Sequence, residues 1–162
     1  MASEQQPEIR IETAKGPGDF ASAMAIREIV FIEEQQVPPD LERDEEDSTA
    51  YHALAYLGGH AIGTGRLVVL DTPPEGETGR WGRVGRMAVL ESYRKRSIGR
   101  LLLERLESEA VRRGLEGVML HAQVYARDFY ARRGYQQTGS VFDEAGIPHL
   151  EMRKRLGRAQ GP

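Results

Sequence analysis

The stretch YRKRSIGRLLLERL, residues 93–106, sets Arg94, Lys95 and Arg96 in a row, relaxes into Ser97, Ile98 and Gly99, and then becomes a leucine-rich amphipathic run with Arg100 at its start. A helix N-terminus carries unpaired backbone N–H groups and a partial positive charge. Small residues there let an anion approach the backbone, and neighbouring cations strengthen the attraction. Residues 94–100 therefore predict a seat for a phosphate or pyrophosphate, with a plain basic helix start as the competing reading. Other phosphate motifs are missing. There is no GxxxxGK[ST], and in GTGRLV a valine, Val68, holds the third glycine position of a dinucleotide fingerprint.

Further residues have proton chemistry available. Tyr130 is protonated at neutral pH and can donate a proton, although its spacing also suits a core aromatic. His121 lies in an apolar strand pattern, where an imidazole can take up a proton near neutral pH or serve structure alone. Glu33 and Glu34 end the first helical segment and are candidate bases or solvated carboxylates. Glu42, Asp44, Glu45, Glu46 and Asp47 form an acidic run, either a solvated loop or a rim that gathers a cationic substrate. Arg27 sits among apolar neighbours on the first helix, where it can hold an acidic substrate group or pair with that run. The histidines, His52, His60, His121 and His149, never fall at i,i+3 or i,i+4, so no metal site is expected.

Composition narrows the classes. The chain has 162 residues, 40% hydrophobic and 29% charged, with a net charge of −3, which favours one soluble domain and gives no push toward nucleic acid. With no cysteine there is no disulfide, thiolate metal site or thiol nucleophile, which fits the cytoplasm. The N-terminus lacks a signal pattern, and no apolar run is long enough to span a bilayer.

Patterning supplies the elements that must position these groups. EIRIETA alternates as a strand, and Asp19 is expected to cap a helix over residues 20–34. YHALAYL and HAIGTGRLVVL flank Gly58 and Gly59 as a hairpin. RVGRMAVL is a strand, and residues 97–113 form a helix with an Ile98, Leu102, Leu106, Ala110 stripe closed by Gly114. GVMLHAQV is a strand, YARDFYARRG a short helix, and YQQTGSVF with IPHLEMRKRL a closing hairpin, followed by a frayed tail after residue 156. The result is a mixed α/β sheet.

RMAVLESYRKRSIGRLLLERLESEAVRRG resembles the acyl-CoA-binding block of the GNAT N-acetyltransferase superfamily, a strand, then [RQ]-x-x-G-x-[GA], then a helix. Arg94 and Gly99 match its ends, and Ser97 replaces the usual first glycine. Downstream, LHAQVYARDFYARRGY is similar to the family's second block. Ala126, Phe129, Tyr130, Gly134 and Tyr135 match, while Gln123 stands where asparagine is commoner. The resemblance covers residues 9–156 and implies one acyl-CoA N-acyltransferase domain over residues 1–162. Its fold would be a mostly antiparallel central sheet with helices on both faces.

The resemblance implies transfer of an acetyl group from acetyl-CoA to a primary amine of a small molecule or peptide, in a ternary complex, without metal. Met87, Ala88 and Val89 would line the pantetheine arm, with a backbone N–H near Ala88 or Val89 polarising the thioester carbonyl. Residues 94–100 would cradle the pyrophosphate, with Gln123 and Phe129 also on the cofactor side. Tyr130 would be the general acid, His121 or Glu34 the base, and Arg27, Asp44 and Asp47 acceptor contacts. Such proteins often form dimers, so a homodimer is compatible. IREIVF with its acidic run, and GTGRLVVLDTPP, also resemble acyl-homoserine-lactone synthases, an alternative acyltransferase reading. A CoA-binding sensor without turnover is the other.

Overall fold

The computed structural model describes residues 8–157; the expected frayed end beyond them lies outside the described residues. Strands β1 (Ile9–Thr13), β2 (Tyr51–Leu57), β3 (His60–Val69), β4 (Trp81–Val89), β5 (Gly117–Gln123), β6 (Gln136–Glu144) and β7 (Ile147–Arg155) form one sheet in the order β1-β2-β3-β4-β5-β7-β6. All neighbouring pairs are antiparallel except β4 and β5. Helices α1 (Gly16–Arg27), α2 (Pro39–Glu42), α3 (Ile98–Arg112) and α4 (Arg127–Ala131) complete the mixed α/β architecture that the sequence predicts. No helix among the described residues is long and apolar enough to cross a membrane.

Strand alternation divides the core between the faces. Ala53 and Ala55 of β2 join the cluster under α3, whereas Leu54 between them joins Met24, Ile26 and Val30 under α1. The predicted α3 stripe is fully buried, each member at 0–1% exposure. Burial of a leucine side chain contributes about 1.5–3 kcal/mol. Gly63 and Gly65 of β3 let this helix come close: a Cβ would lie 3.1 Å from Leu102 Cδ1 at Gly63 and 3.0 Å from Leu106 Cδ1 at Gly65. The glycines of GTG thus serve helix–sheet packing.

The first helical segment departs from expectation. It begins at Gly16, with Pro17 in its first turn, and Asp19 accepts the Lys15 N–H at 2.7 Å from inside the helix. From Glu28 to Glu34 the chain is a π-helix. That wider turn, a frequent feature of functional sites, delivers Val30, Phe31 and Gln35 to the sheet. The acidic run is ordered as well. After α2 it forms a 3₁₀ turn, Glu45–Ser48, capped by Asp44.

The opening between β4 and β5 positions the site. These parallel strands pair only from Trp81 with Gly117 to Arg83 with Met119. Beyond that point β4 runs on to Val89 and β5 to Gln123 without pairing. A bulge lies where they part: Thr64 opposes Ala88 and Arg66 opposes Gly85, which leaves an extra residue on β4, and Arg86 has a left-handed φ of 51°.

Candidate active site

Two cavities occupy the opening, and they share a wall. One, of about 950 Å³, runs from the end of β4 to the start of α3 and is closed by α4. The other, of about 390 Å³, lies between the separated strands, the acidic segment and the closing hairpin. Gln35, Met87, Tyr125, Ala126 and Tyr130 line both.

The larger cavity contains the predicted anion seat. Lys95 and Ser97 take left-handed φ values of 67° and 62°, which folds the turn back on itself. Ser97 precedes the helix without a capping side-chain hydrogen bond, so the first-turn N–H groups of α3 keep their donor capacity. Gly99 faces Phe129, where an added Cβ would make ordinary contact at 3.6 Å. Met87, Ala88, Val89, Arg94, Lys95, Ser97, Ile98, Gly99, Arg100 and Phe129 line this cleft. Arg96 does not; its guanidinium lies over the Tyr93 ring at 5.8 Å. Arg133, missed in the sequence although it falls inside the second block, also lines the cleft and stacks 3.8 Å above Phe129.

The backbone at the cleft edge is specific about direction. Leu90 donates its N–H to Ile62 of β3 at 2.9 Å, and Ala88 opposes Thr64 in the same ladder. Alternation therefore turns the Ala88 N–H toward β3 and the Val89 N–H toward the opening. The Val89 carbonyl lies on that same side and accepts Arg94 Nε at 2.8 Å. Of the expected polarising donors, Val89 faces the cleft and Ala88 does not.

Tyr130 is 9% exposed and packs edge-on against Phe129 and Tyr135. Burial pushes its phenol well above the ordinary tyrosine range, so it stays protonated. His121 lines the smaller cavity. Its Nδ1 lies 3.0 Å from Glu144 Oε1 and 3.1 Å from Arg83 Nη2. The close approach of His121 is the main cause that lowers the Glu144 carboxyl below its usual range. Gln123 lines this smaller cavity, not the cofactor-side cleft expected of it, and donates to Gln35 at 2.8 Å.

The remaining candidates are engaged in ion pairs. Glu34 lines neither cavity and accepts Arg94 Nη2 at 2.8 Å, a pairing that occupies it as a clamp. Arg27 is fully buried: its guanidinium meets Glu42 Oε1 at 2.5 Å and Asp47 Oδ1 at 2.7 Å. Asp47 is buried against Arg27 and Arg66, 2.8 Å from the latter. Burial alone would raise the Asp47 carboxyl, but hydrogen bonds and charge from the arginines hold it well below the usual range. Neither Arg27 nor Asp47 lines the cavity; both lie beneath it, paired with each other. Asp44 does line it, paired with Arg66 at 2.7 Å and Arg86 at 3.3 Å. Arg86 also donates to the Glu42 carbonyl at 2.9 Å, so the acidic segment holds the bulge residue in its left-handed conformation. Arg83, Tyr125, Gln35 and Glu144 carry no local signal in the sequence; Arg83 joins the site where β4 stops pairing with β5, and the others through a strand end or turn that only the fold brings there.

The sequence model described as "Acetyltransferase (GNAT) domain" matches residues 21–156. The uncharacterized N-acetyltransferase YjcF of Bacillus subtilis (strain 168) is 35% identical over 142 residues, covering 87% of this chain and 96% of that protein. The crystal structure of an acyl-CoA N-acyltransferase from Pseudomonas aeruginosa superposes with a TM-score of 0.75 at 26% identity, covering 91% of this chain and 99% of that one. The acyl-homoserine-lactone (AHL) synthase LasI shares the fold alone, with a TM-score of 0.72 at 14% identity over 93% of this chain and 91% of that one.

Proposed function

Because the chain belongs to the GNAT acetyltransferase family, we propose that it transfers an acetyl group from acetyl-CoA to the primary amine of a small molecule or peptide, by direct attack in a ternary complex. The observation that carries this reading is the shared wall. A cleft at a cationic helix start and a polar cavity meet at Tyr130 and Met87, as a reaction between an anionic carrier and a second substrate requires.

The residues fit such a carrier. The left-handed turn at Lys95 and Ser97, the uncapped start of α3 and the side-chain-free face of Gly99 would take the pyrophosphate. Lys95, Arg100 and Arg133 add charge around it. Acetyl-CoA supplies an activated thioester. Met87 and Val89 lie where β4 has no β5 partner and line the cleft for its arm, and the Val89 N–H is the donor available to a developing oxyanion. Tyr130 donates a hydrogen bond to the departing sulfur. Its raised pKa keeps the proton on the phenol until charge builds on that atom. His121, on the acceptor side, takes the amine proton while Glu144 stabilises the imidazolium.

Thiol release from acetyl-CoA with a panel of amines tests this reading, and turnover of any amine supports it. Acceptance of long acyl donors with S-adenosylmethionine would instead favour the lactone-synthase alternative. Tight CoA binding without thiol release on any amine would favour a sensor.

A further inference from the structure

We infer that Arg83 anchors a carboxylate carried by the amine acceptor, so that the acceptor is an amino acid, and that this anion switches His121 into its base form. The inference rests on the acetyltransferase reading and adds the acceptor class to it. Of the arginines along the smaller cavity, Arg66 and Arg86 have carboxylate oxygens at 2.7 Å and 3.3 Å. The nearest carboxylate oxygen to Arg83 is Glu144 Oε1 at 3.7 Å, beyond a hydrogen bond, and its one short contact is with His121 Nδ1 at 3.1 Å. Among the described residues its Nε and Nη1 have no hydrogen-bond partner, although the side chain is only 28% exposed. A half-buried guanidinium with free donors at a cavity wall is a carboxylate receptor, because its planar fork binds a carboxylate through paired hydrogen bonds.

His121 gives the second, independent observation. Its Nδ1 lies between a donor, Arg83 Nη2 at 3.1 Å, and an acceptor, Glu144 Oε1 at 3.0 Å. A single ring nitrogen cannot accept from one and donate to the other. With a lone pair on Nδ1 the ring takes the Arg83 hydrogen bond and faces Glu144 unfavourably. With a proton on Nδ1 it donates to Glu144 and displaces Arg83. The remaining neighbours do not decide between these states. Glu151 lies 4.0 Å from Nε2 and is itself paired with Arg153 at 2.6 Å, and the Phe142 ring meets the imidazole edge-on at 4.9 Å. His149 sits on the far oxygen of Glu144 at 3.6 Å, its Nδ1 engaged by the Ile147 carbonyl. An arriving carboxylate that draws Arg83 away releases Nδ1 to hold the proton against Glu144. The lone pair then lies on Nε2, ready to accept the amine proton. Substrate recognition and base activation are thereby coupled.

The test pairs amino acids with amines that lack the carboxylate: leucine with isopentylamine, phenylalanine with phenethylamine, glycine with methylamine. With acetyl-CoA, the carboxylate-bearing member of a used pair should show kcat/KM roughly tenfold or more above its partner. Arg83→Gln should erase that preference, because the amino acid loses its anchor and both members of a pair meet a His121 already released from Arg83, and Arg83→Lys should restore part of it. In the protein labelled with 15N-histidine, the same amino acids should move the His121 ring nitrogens to the Nδ1–H tautomer. The matched amines should not, and Arg83→Gln should abolish the change. Turnover without carboxylate preference, or a preference that survives Arg83→Gln, overturns the inference and leaves the acetyltransferase reading standing. If no amine is turned over, the nitrogen spectra decide: ring nitrogens that respond alike to both members of every pair, or to neither, overturn it.

Discussion

Arg94 Nε donates to the carbonyl of Val89 at 2.8 Å, and the same guanidinium reaches Glu34 from its Nη2. One side chain thus ties the end of β4, the end of the π-helix and the turn before α3 together. With Glu34 engaged by Arg94, Glu34→Gln should leave the pH dependence of kcat unchanged. It should raise the KM for acetyl-CoA by a few-fold, the order expected for one partly exposed ion pair of about 0.2–1 kcal/mol. Loss of the acidic limb of the rate profile in that variant would restore Glu34 as a base.

At Gly99 the structure separates binding from folding. A Cβ there makes only ordinary contact with Phe129, so Gly99→Val should fold with a near-native melting temperature. The added methyl groups would occupy the cleft at the helix start, the proposed pyrophosphate seat. CoA affinity by calorimetry should fall by tenfold or more, roughly the loss of one or two charge-assisted hydrogen bonds. Equal affinity in the folded variant would place the carrier elsewhere.

Tyr130→Phe removes a hydroxyl from a ring otherwise packed against Phe129 and Tyr135. Stability and CoA binding should hold, and kcat should fall by about a hundredfold, the usual value of a positioned proton donor. A rate within a factor of two or so, with chemistry rate-limiting, would make Tyr130 a core residue only.

Beneath the smaller cavity, Asp47→Asn should cost stability by about 1–3 kcal/mol at neutral pH, because it removes one of the two carboxylates that hold the buried Arg27 guanidinium while Glu42 remains. The pH dependence has a definite sign. The folded Asp47 carboxyl titrates below its unfolded value of about 3.9, so its contribution is complete above that pH and is lost as the pH falls toward the folded value. Urea midpoints at pH 7 and pH 3 should therefore differ more in the parent than in Asp47→Asn. For the same reason, acceptor steering by this segment is best tested at Asp44 alone, which lines the cavity. Asp44→Asn should raise the acceptor KM without changing CoA affinity, and a salt dependence identical to the parent would exclude steering.

Ser97 occupies a left-handed position, φ 62°, that glycine fills without strain. Ser97→Gly should stabilise the protein by roughly 0.5 kcal/mol, the relief of strain less the added flexibility of the unfolded chain, and leave CoA affinity unchanged. Ser97→Val, β-branched at the same φ, should destabilise it by more than about 1 kcal/mol. The two melting temperatures on either side of the parent check both.

What the residues determine unaided is local. The Ile98, Leu102, Leu106, Ala110 stripe specifies a helix because its period matches the turn, and Gly58-Gly59 specifies a hairpin because both residues take positive φ. The run at residues 94–100 likewise carries its own chemistry: cations, small residues and a helix start are adjacent in the chain, so a candidate anion seat can be proposed before any fold is known. Long-range choices are different. Whether Arg27 meets substrate or Asp47 depends on how α1 and the acidic segment fold onto each other across the intervening residues, and burial makes that pairing compulsory. The sequence offers both Glu34 and His121 as candidate bases, and their places in the fold follow from the opening between β4 and β5. That opening set His121 and Glu144 on the cavity wall and left Glu34 to Arg94. Arg83 and the Val89 N–H gained their significance the same way. A strand's sequence fixes which faces its side chains take, but only the point where its neighbour stops pairing decides which backbone and which guanidinium are left for a substrate.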